Sequence, residues 1–391
     1  MHFILFHSEK IISAYKGALP LSHTLRNYTK QHKQLGSKDR KSIAHCVYSW
    51  YRCAKFISHT KKISFEEQMY ISLWLCKVAP LVHLLPAYLQ ATFELAIDEK
   101  IKFAAQNDIE INISIPANFK AIALSDKITY DAWLLSLFQQ PLVFIRTIGP
   151  IETCTSLLSQ AQIPFEVIDS HCIAVNNASA IDSILPKDQY VIQDYSSQKT
   201  GNYFDPKNGE SWLDSCCGAG GKSLLLASKK KQITHHVMDV RASSMHNLQD
   251  RFRNAKLKAP IPIIADITDA MLLKQKLAAM RFDHIICDVP CSGSGTWART
   301  PEQFYFFNTK ELSSFNAKQF IIANNSLAYL KEGGSLIYIT CSIFKSENEA
   351  IIESLLQHNP KITCKEMHLI NGIENKADCM FIAVLERPLE F

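Results

Sequence analysis

The sequence predicts an α/β protein, with an open, mostly parallel sheet in the C-terminal half, a small α+β module before it and a helical domain at the N-terminus. Three observations predict this. Before about residue 135, apolar residues recur with helical period. Near residue 140 that period shortens. From about residue 196, short apolar runs end in a carboxylate or a cysteine and alternate with stretches of helical length, as at the C-terminal edge of a parallel sheet. A chain of 391 residues accommodates two or three such domains.

The first domain covers residues 1–139. Ile43, Val47, Trp50, Tyr51 and Ala54 lie at helical spacing. Ser64-Phe65-Glu66-Glu67 reads as a capping box, with Ser64 as N-cap and Glu67 at N3, opening a long helix from Phe65 to about Val78. Pro80, Pro86 and Pro116 punctuate later helices. Residues 1–62 hold twelve Lys and Arg (Lys10, Lys16, Arg26, Lys30, Lys33, Lys38, Arg40, Lys41, Arg52, Lys55, Lys61 and Lys62) against Glu9 and Asp39. This stretch therefore carries +10 and the rest of the chain −5. Tyr15, Tyr28, Tyr48, Trp50 and Tyr51 interleave with the bases. Such a segment is either a nucleic-acid surface that neutralises several phosphates or a solvated basic face.

Residues 140–195 form the expected small α+β, RRM-like module. Leu142–Thr147 and Pro164–Ile168 read as strands around a helix from Ile151 to Ala161, and Val191-Ile192 is a further apolar patch. Residues 196–391 form the α/β domain, with strands expected at Trp212–Ser215, His235–Asp239, Ile261–Ala265, His284–Asp288, Leu336–Thr340 and Met380–Leu385.

Composition narrows the function classes. Hydrophobic residues at 47% and charged residues at 20% exclude wholesale disorder. No apolar run is long enough to span a bilayer, and Met1–His7 lacks the basic region and length of a secretory signal, so a cytoplasmic protein without membrane partners is expected. The twelve cysteines contain no CxxC, which leaves a structural zinc site unsupported and disulfides unexpected. Most are expected to pack as small apolar groups.

Four motifs carry chemistry. Asp214-Ser215-Cys216-Cys217-Gly218-Ala219-Gly220-Gly221-Lys222 is a glycine loop between a strand and a helix, suited to a polar or anionic ligand group, and its spacing is not that of a P-loop. Asp239, Asp266 and Asp288 end successive strands; Asp239, about 20 residues past the glycine loop, is placed to accept from a ribose diol. Each alone is more often a helix N-cap, but three on one edge favour an adenosine-bearing cofactor. Asp288-Val289-Pro290-Cys291-Ser292-Gly293-Ser294-Gly295 and Thr340-Cys341-Ser342 place two cysteines at the ends of two strands, so that both thiols can face one cleft.

These blocks resemble the signatures of the Sun/Fmu-type (RsmB/NSUN-like) RNA (cytosine-5) methyltransferases. The resemblance rests on Asp214–Lys222, Asp288–Gly295, Thr340–Ser342 with Glu347-Asn348-Glu349, and Gln193–Gln198 leading into the domain. It spans about residues 190–390. Gly36–Arg40 and the following helix resemble, more loosely, the N-terminal region of bacterial members. The resemblance implies a class I (Rossmann-like) methyltransferase fold using S-adenosyl-L-methionine. Cys216, Cys217, Gly218, Ala219, Gly220, Gly221 and Lys222 would line the cofactor's methionine and ribose. Asp239 would hold the ribose hydroxyls, Asp266 would lie by the adenine, and Asp288 between cofactor and base. Cys341 would be the nucleophile and Cys291 would assist release. Two positions depart from the family pattern: Ala219 stands where Pro is usual, and Ser244 where Arg is frequent five residues past the ribose acid.

The implied reaction adds the Cys341 thiolate to cytosine C6, making C5 nucleophilic. RNA is the expected partner, contacted by Arg299 and by Lys38, Arg40 and Lys41 of the basic domain. Small-subunit 16S rRNA is favoured over tRNA. No metal is expected, and oligomeric state is not legible. A DNA cytosine-5 methyltransferase would use the Pro-Cys thiol and need no Thr-Cys thiol. A protein or small-molecule methyltransferase would explain neither thiol. A non-catalytic RNA-binding assembly factor would not need Cys291 and Cys341.

Overall fold

A computed structural model describes residues 2–57, 63–114, 116–176 and 181–389. Lys61 and Lys62 of the basic stretch lie outside them. The chain divides into two compact units: residues 1–121, 129–141 and 296–309, and residues 122–128, 142–295 and 310–391.

The first unit is helical. Its helices His2–Ala14, Leu21–Gln31 and Ser37–Cys53 enclose Ile11, Leu21, Leu25, Ile43, Val47 and Tyr51. The capping box forms as expected: Ser64 Oγ accepts from Glu67 N, and Glu67 Oε2 accepts from Ser64 N at 2.8 Å. The helix it opens ends at Leu75 rather than near Val78, because Lys77 turns to a positive φ of 48°. The interleaved aromatics have a structural explanation. Tyr15 and Tyr51 are buried in the helical core, edge to face with ring centroids 5.7 Å apart. Arg52, counted among the bases, is itself buried. Lys38, Arg40 and Lys41 are exposed, and Arg40 Nε is tied to Leu35 O at 2.9 Å. Within the same unit, Glu302 accepts from Leu21 N at 3.4 Å.

The second unit holds two sheets. The smaller contains β1 (Val143–Thr147), β2 (Phe165–Asp169), β3 (Cys172–Val175) and β4 (Tyr190–Ile192), antiparallel in the order β2-β3-β1-β4. Helices Ile151–Gln160 and Ile181–Ile184 complete a βαββαβ order. The larger contains β5 (Ser211–Asp214), β6 (Thr234–Asp239), β7 (Ile261–Ile264), β8 (Phe282–Asp288), β9 (Leu330–Thr340), β10 (Thr363–Ile370) and β11 (Met380–Glu386), in the order β10-β11-β9-β8-β5-β6-β7. β5 to β9 are parallel, and β11 enters antiparallel between β9 and β10. The order changes direction at β5, so the ends of β5, β6 and β8 border the crevice where open α/β sheets bind ligands. Trp212, Ile286, Ile337, Ile339 and Ile382 pack one core of this sheet. All six expected strands are present within a few residues. β3 and β10 were not anticipated.

Among the described residues, no helix is long and apolar enough to cross a membrane, and no group of three or more His, Cys, Asp or Glu is arranged to hold a metal.

Candidate active site

Strand register brings the two cysteine motifs together. β8 pairs with β9 so that Cys287 faces Tyr338 and Asp288 faces Ile339, and Val289 N donates to Ile339 O at 3.0 Å. Three residues past Asp288 comes Cys291; two past Ile339 comes Cys341. Their Sγ atoms are 3.3 Å apart, and both residues are half-buried. The Cys341 sulfur, and then burial, push the Cys291 thiol well above its ordinary range. Cys291 therefore keeps its proton at neutral pH.

A buried carboxylate clamps both loops. Glu347, 0% exposed, accepts from Ser292 N at 2.8 Å and from the hydroxyls of Ser292 and Ser342 at 2.5 Å each. Gln319 Nε2 donates to the same carboxylate at 3.0 Å and to Pro290 O at 3.1 Å. Ser292 follows Cys291 and Ser342 follows Cys341, so one side chain fixes the residues next to both thiols. Asn348 adds a second tie, accepting from Thr340 Oγ1 at 2.6 Å and donating to Ser342 O at 2.9 Å. Gly295 closes the cysteine loop: its N–H donates to Cys341 O at 2.9 Å, and a Cβ there would lie 2.4 Å from Cys379 O.

The glycine loop leaves β5 at Asp214. Gly218 and Gly220 adopt φ of +50° and +82°, and a Cβ at Gly220 would meet Leu248 Cγ at 2.7 Å. Beyond it, Lys222 Nζ reaches Asp288 Oδ2 and Ser197 Oγ, each at 3.0 Å. Lys222 is thus a link between the loop, the end of β8 and the block at Gln193–Gln198. Burial, reinforced by the Asp288 carboxylate, pushes Asp214 up to about 7, although Ser223 Oγ donates to it at 2.6 Å. Cys216 and Cys217 are held as thiols by burial.

Asp239 ends β6 and accepts from Gly218 N at 3.0 Å and from Arg241 N at 2.8 Å. Burial raises its pKa, but the Arg241 side chain and backbone outweigh this and hold it below the ordinary range. The frequent arginine of the family pattern is replaced by buried Ser244, while Arg241, two residues past the acid, grips it instead. Asp266, after β7, accepts from Thr268 Oγ1 at 2.7 Å and Thr268 N at 2.9 Å, which lower its pKa.

The second unit therefore gathers Cys216–Lys222, Asp239, Asp266, Asp288, Cys291 and Cys341 on the strand-end edge of one sheet. Arg299 belongs to the helical unit, with Lys38, Arg40 and Lys41. Sequence reading did not single out Ser197, Arg241, Ser292, Ser342 or Gln319. The first lies inside the Gln193–Gln198 block and Ser292 and Ser342 each adjoin a predicted thiol, which was the available signal; Gln319 had none.

Residues 202–385 match the family model described as 16S rRNA methyltransferase RsmB/F. Over this segment the chain is similar to the RsmB/F family. The RsmB/F match is accompanied by curated relatives. The chain is 30% identical over 213 residues to ribosomal RNA small subunit methyltransferase B of Pasteurella multocida, covering 53% of this chain and 48% of that one. It is 27% identical over 196 residues to the protein of the same name from Proteus mirabilis, covering 50% and 46%. The chain spans about half the length of the curated relatives it matches. The solved structure of PH0851 superposes with a TM-score of 0.73 at 18% identity, over 98% of each chain. NSun6 from Pyrococcus horikoshii with SFG superposes with a TM-score of 0.59 at 12% identity, over 67% of this chain and 94% of that one. At these identities the two structures agree in fold, and the sheet order above is the Rossmann-like order of methyltransferases.

Proposed function

We propose that this protein transfers the methyl group of S-adenosyl-L-methionine to C5 of a cytosine in RNA, with small-subunit ribosomal RNA as the first-choice substrate and the cytoplasm as its place of action. The observation that carries this reading is the 3.3 Å separation of Cys291 and Cys341 at the ends of adjacent strands. The RsmB/F match and the relatives named as small-subunit rRNA methyltransferases support the substrate class.

The residues present suit the cofactor. Gly218 and Gly221 leave open space on the loop, since a Cβ at either would meet nothing within 4 Å, and Asp239 offers a charged acceptor for a diol. Gly218–Lys222, Asp239, Asp266 and Asp288 would hold it. When bound, its sulfonium supplies an electrophilic methyl group.

The remaining chemistry belongs to the protein. Cytosine C5 is a poor nucleophile until C6 is saturated. The Cys341 thiolate adds to C6, and the electron pair of the C5–C6 double bond moves into the ring to make C5 reactive. Asp288, protonated when the base is bound, donates a hydrogen bond to N3 and so stabilises the negative charge that develops on addition, with Lys222, 3.0 Å away, orienting the carboxyl group. After methylation, the C5 proton leaves and the Cys341–C6 bond breaks, restoring the aromatic ring and the thiolate. Cys291, whose Sγ lies 3.3 Å from the Cys341 sulfur, is the relay for that proton. The base must leave its stack to reach the thiols, which costs less in a loop than in a duplex. Arg299, Lys38, Arg40 and Lys41 are the proposed phosphate contacts that offset this cost.

Labelled methyl transfer to 16S rRNA, tRNA and DNA, with bisulfite mapping of any methylated RNA, tests the substrate. Label in rRNA at C5 of cytosine is expected. Label in tRNA alone would move the assignment to tRNA, and label in none would leave a non-catalytic RNA-binding factor.

A further inference from the structure

A crevice of about 330 Å³ lies between the four-stranded sheet and the helix that follows the glycine loop, away from the thiols. Its walls include Arg146 of β1, His171, Lys199, Asn202, Ser228 and Lys229. Arg146 is only 5% exposed. Its Nε donates to Gln193 Oε1 at 2.8 Å and its Nη1 to Ser228 Oγ at 2.8 Å, both neutral acceptors. Its Nη2 is buried without a partner. Burial, then the nearby Arg251, lowers its pKa to about 10, so it remains a cation at neutral pH.

Charge is unbalanced here. Among the described residues lining the crevice, Asp169 is the single carboxylate, and it is engaged by Lys199 at 2.8 Å. Among the described residues Arg146 is left with no counter-ion, and exposed Lys229 in the lining adds a second cation without one. A buried cation held by neutral acceptors is costly unless an anion completes it. A guanidinium fork matches the paired oxygens of a phosphoryl group.

We propose that this crevice binds a phosphoryl group, with Arg146 as its buried anchor and Lys229 at its mouth. The volume exceeds that of one phosphate, so the group arrives on a larger molecule or with water. The same chemistry has two sources, a backbone phosphate of RNA or a free phosphate-bearing small molecule. The site is independent of the methyl-transfer reading, because none of its lining residues belongs to the thiol pocket.

The test uses the full chain and two probes. Calorimetric titration with inorganic phosphate, at constant ionic strength, reads the site directly. Binding of a 16S rRNA transcript across a salt series reads the number of phosphates engaged. Arg146→Gln keeps neutral donors in place; Lys229→Ala, at an exposed position, serves where the first fails to fold; Lys231→Ala, exposed and outside the crevice, is the control for charge loss. Phosphate binding that weakens at least tenfold in Arg146→Gln and severalfold in Lys229→Ala, but not in Lys231→Ala or Cys341→Ala, supports the site. If the RNA salt slope also falls by about 0.7 in Lys229→Ala alone of the two lysine variants, the source is RNA backbone. If the slope is unchanged while phosphate binding is lost, the source is a free ligand. No phosphate binding in the wild type, together with RNA salt slopes identical in Lys229→Ala and Lys231→Ala, would overturn the proposal.

Discussion

Cys291 Sγ lies 3.3 Å from Cys341 Sγ, on loops that both adjoin a serine held by Glu347. Two thiols this close close a disulfide when a peroxide removes two electrons and two protons, releasing water. Mild peroxide is therefore expected to abolish methyl transfer, and dithiothreitol to restore it. Cys53 and Cys76 are also close, at 3.6 Å, so the link must be read by peptide mapping. Full activity in protein mapped as 291–341 oxidised would contradict the assignment of these thiols.

Among the described residues, Glu347 is held by neutral donors from both cysteine loops and from Gln319. Glu347→Ala leaves Ser292 N and Gln319 Nε2 without their buried acceptor, and should cost roughly 2–4 kcal/mol of stability. Glu347→Gln keeps an acceptor and is expected to fold, while lowering kcat at least tenfold with little change in cofactor affinity. Urea melts and single-turnover rates check both. An unchanged kcat in Glu347→Gln would show that the clamp does not set thiol geometry.

Gly295 has no room for a methyl group, since its Cβ would lie 2.4 Å from Cys379 O and 2.9 Å from Cys341 O. Backbone cannot yield as a side-chain end can. Gly295→Ala should cost about 1–3 kcal/mol and lower the melting temperature by several degrees. Calorimetric scans provide the measurement, and a melting temperature within a degree of wild type would contradict the close approach.

Burial holds His235 of β6 down to about 4, against an ordinary 6.5. The unfolded chain thus binds more protons than the fold between pH 6.5 and 4, and His235 draws stability away as pH falls through that window. Asp214, raised to about 7, acts in the opposite sense: the fold binds its proton more tightly, and stability is lost as pH rises from 3.8 toward 7. The two partly cancel in the wild type. His235→Phe removes the first alone, so the stability of the variant relative to wild type should grow by a few kcal/mol as pH falls from 7.5 to 4.5. Urea midpoints at the two pH values measure this, and a constant difference would contradict a neutral buried imidazole.

Much of the fold was legible because its strands are short apolar runs with chemistry at their ends. Asp239 and Asp288 each end a strand, and the capping box at Ser64 formed as its spacing required. β3 and β10 were less legible for different reasons. Cys172–Val175 is four residues, one tight turn after β2, and too short for its continuous apolar run to show a period. Thr363–Ile370 lies at the sheet edge, where solvated side chains such as Lys365 and Glu366 mask the alternation. The basic stretch misled in part: Tyr15, Tyr51 and Arg52 are interior groups, because a small helical unit uses aromatics to fill its core. At the site, the thiols could be placed on one edge from their motifs, but their separation depends on the β8–β9 register. The Glu347 clamp depends on Gln319, 28 residues away, which no local pattern announces.

The most direct measurement compares Cys341→Ala with Cys291→Ala for RNA that stays attached after denaturation in the presence of the methyl donor. Cys341→Ala should form no adduct and transfer no methyl. Cys291→Ala should accumulate adduct, because the bond to C6 forms but is not released. Adduct formed by Cys341→Ala, or normal turnover by either variant, would contradict the account.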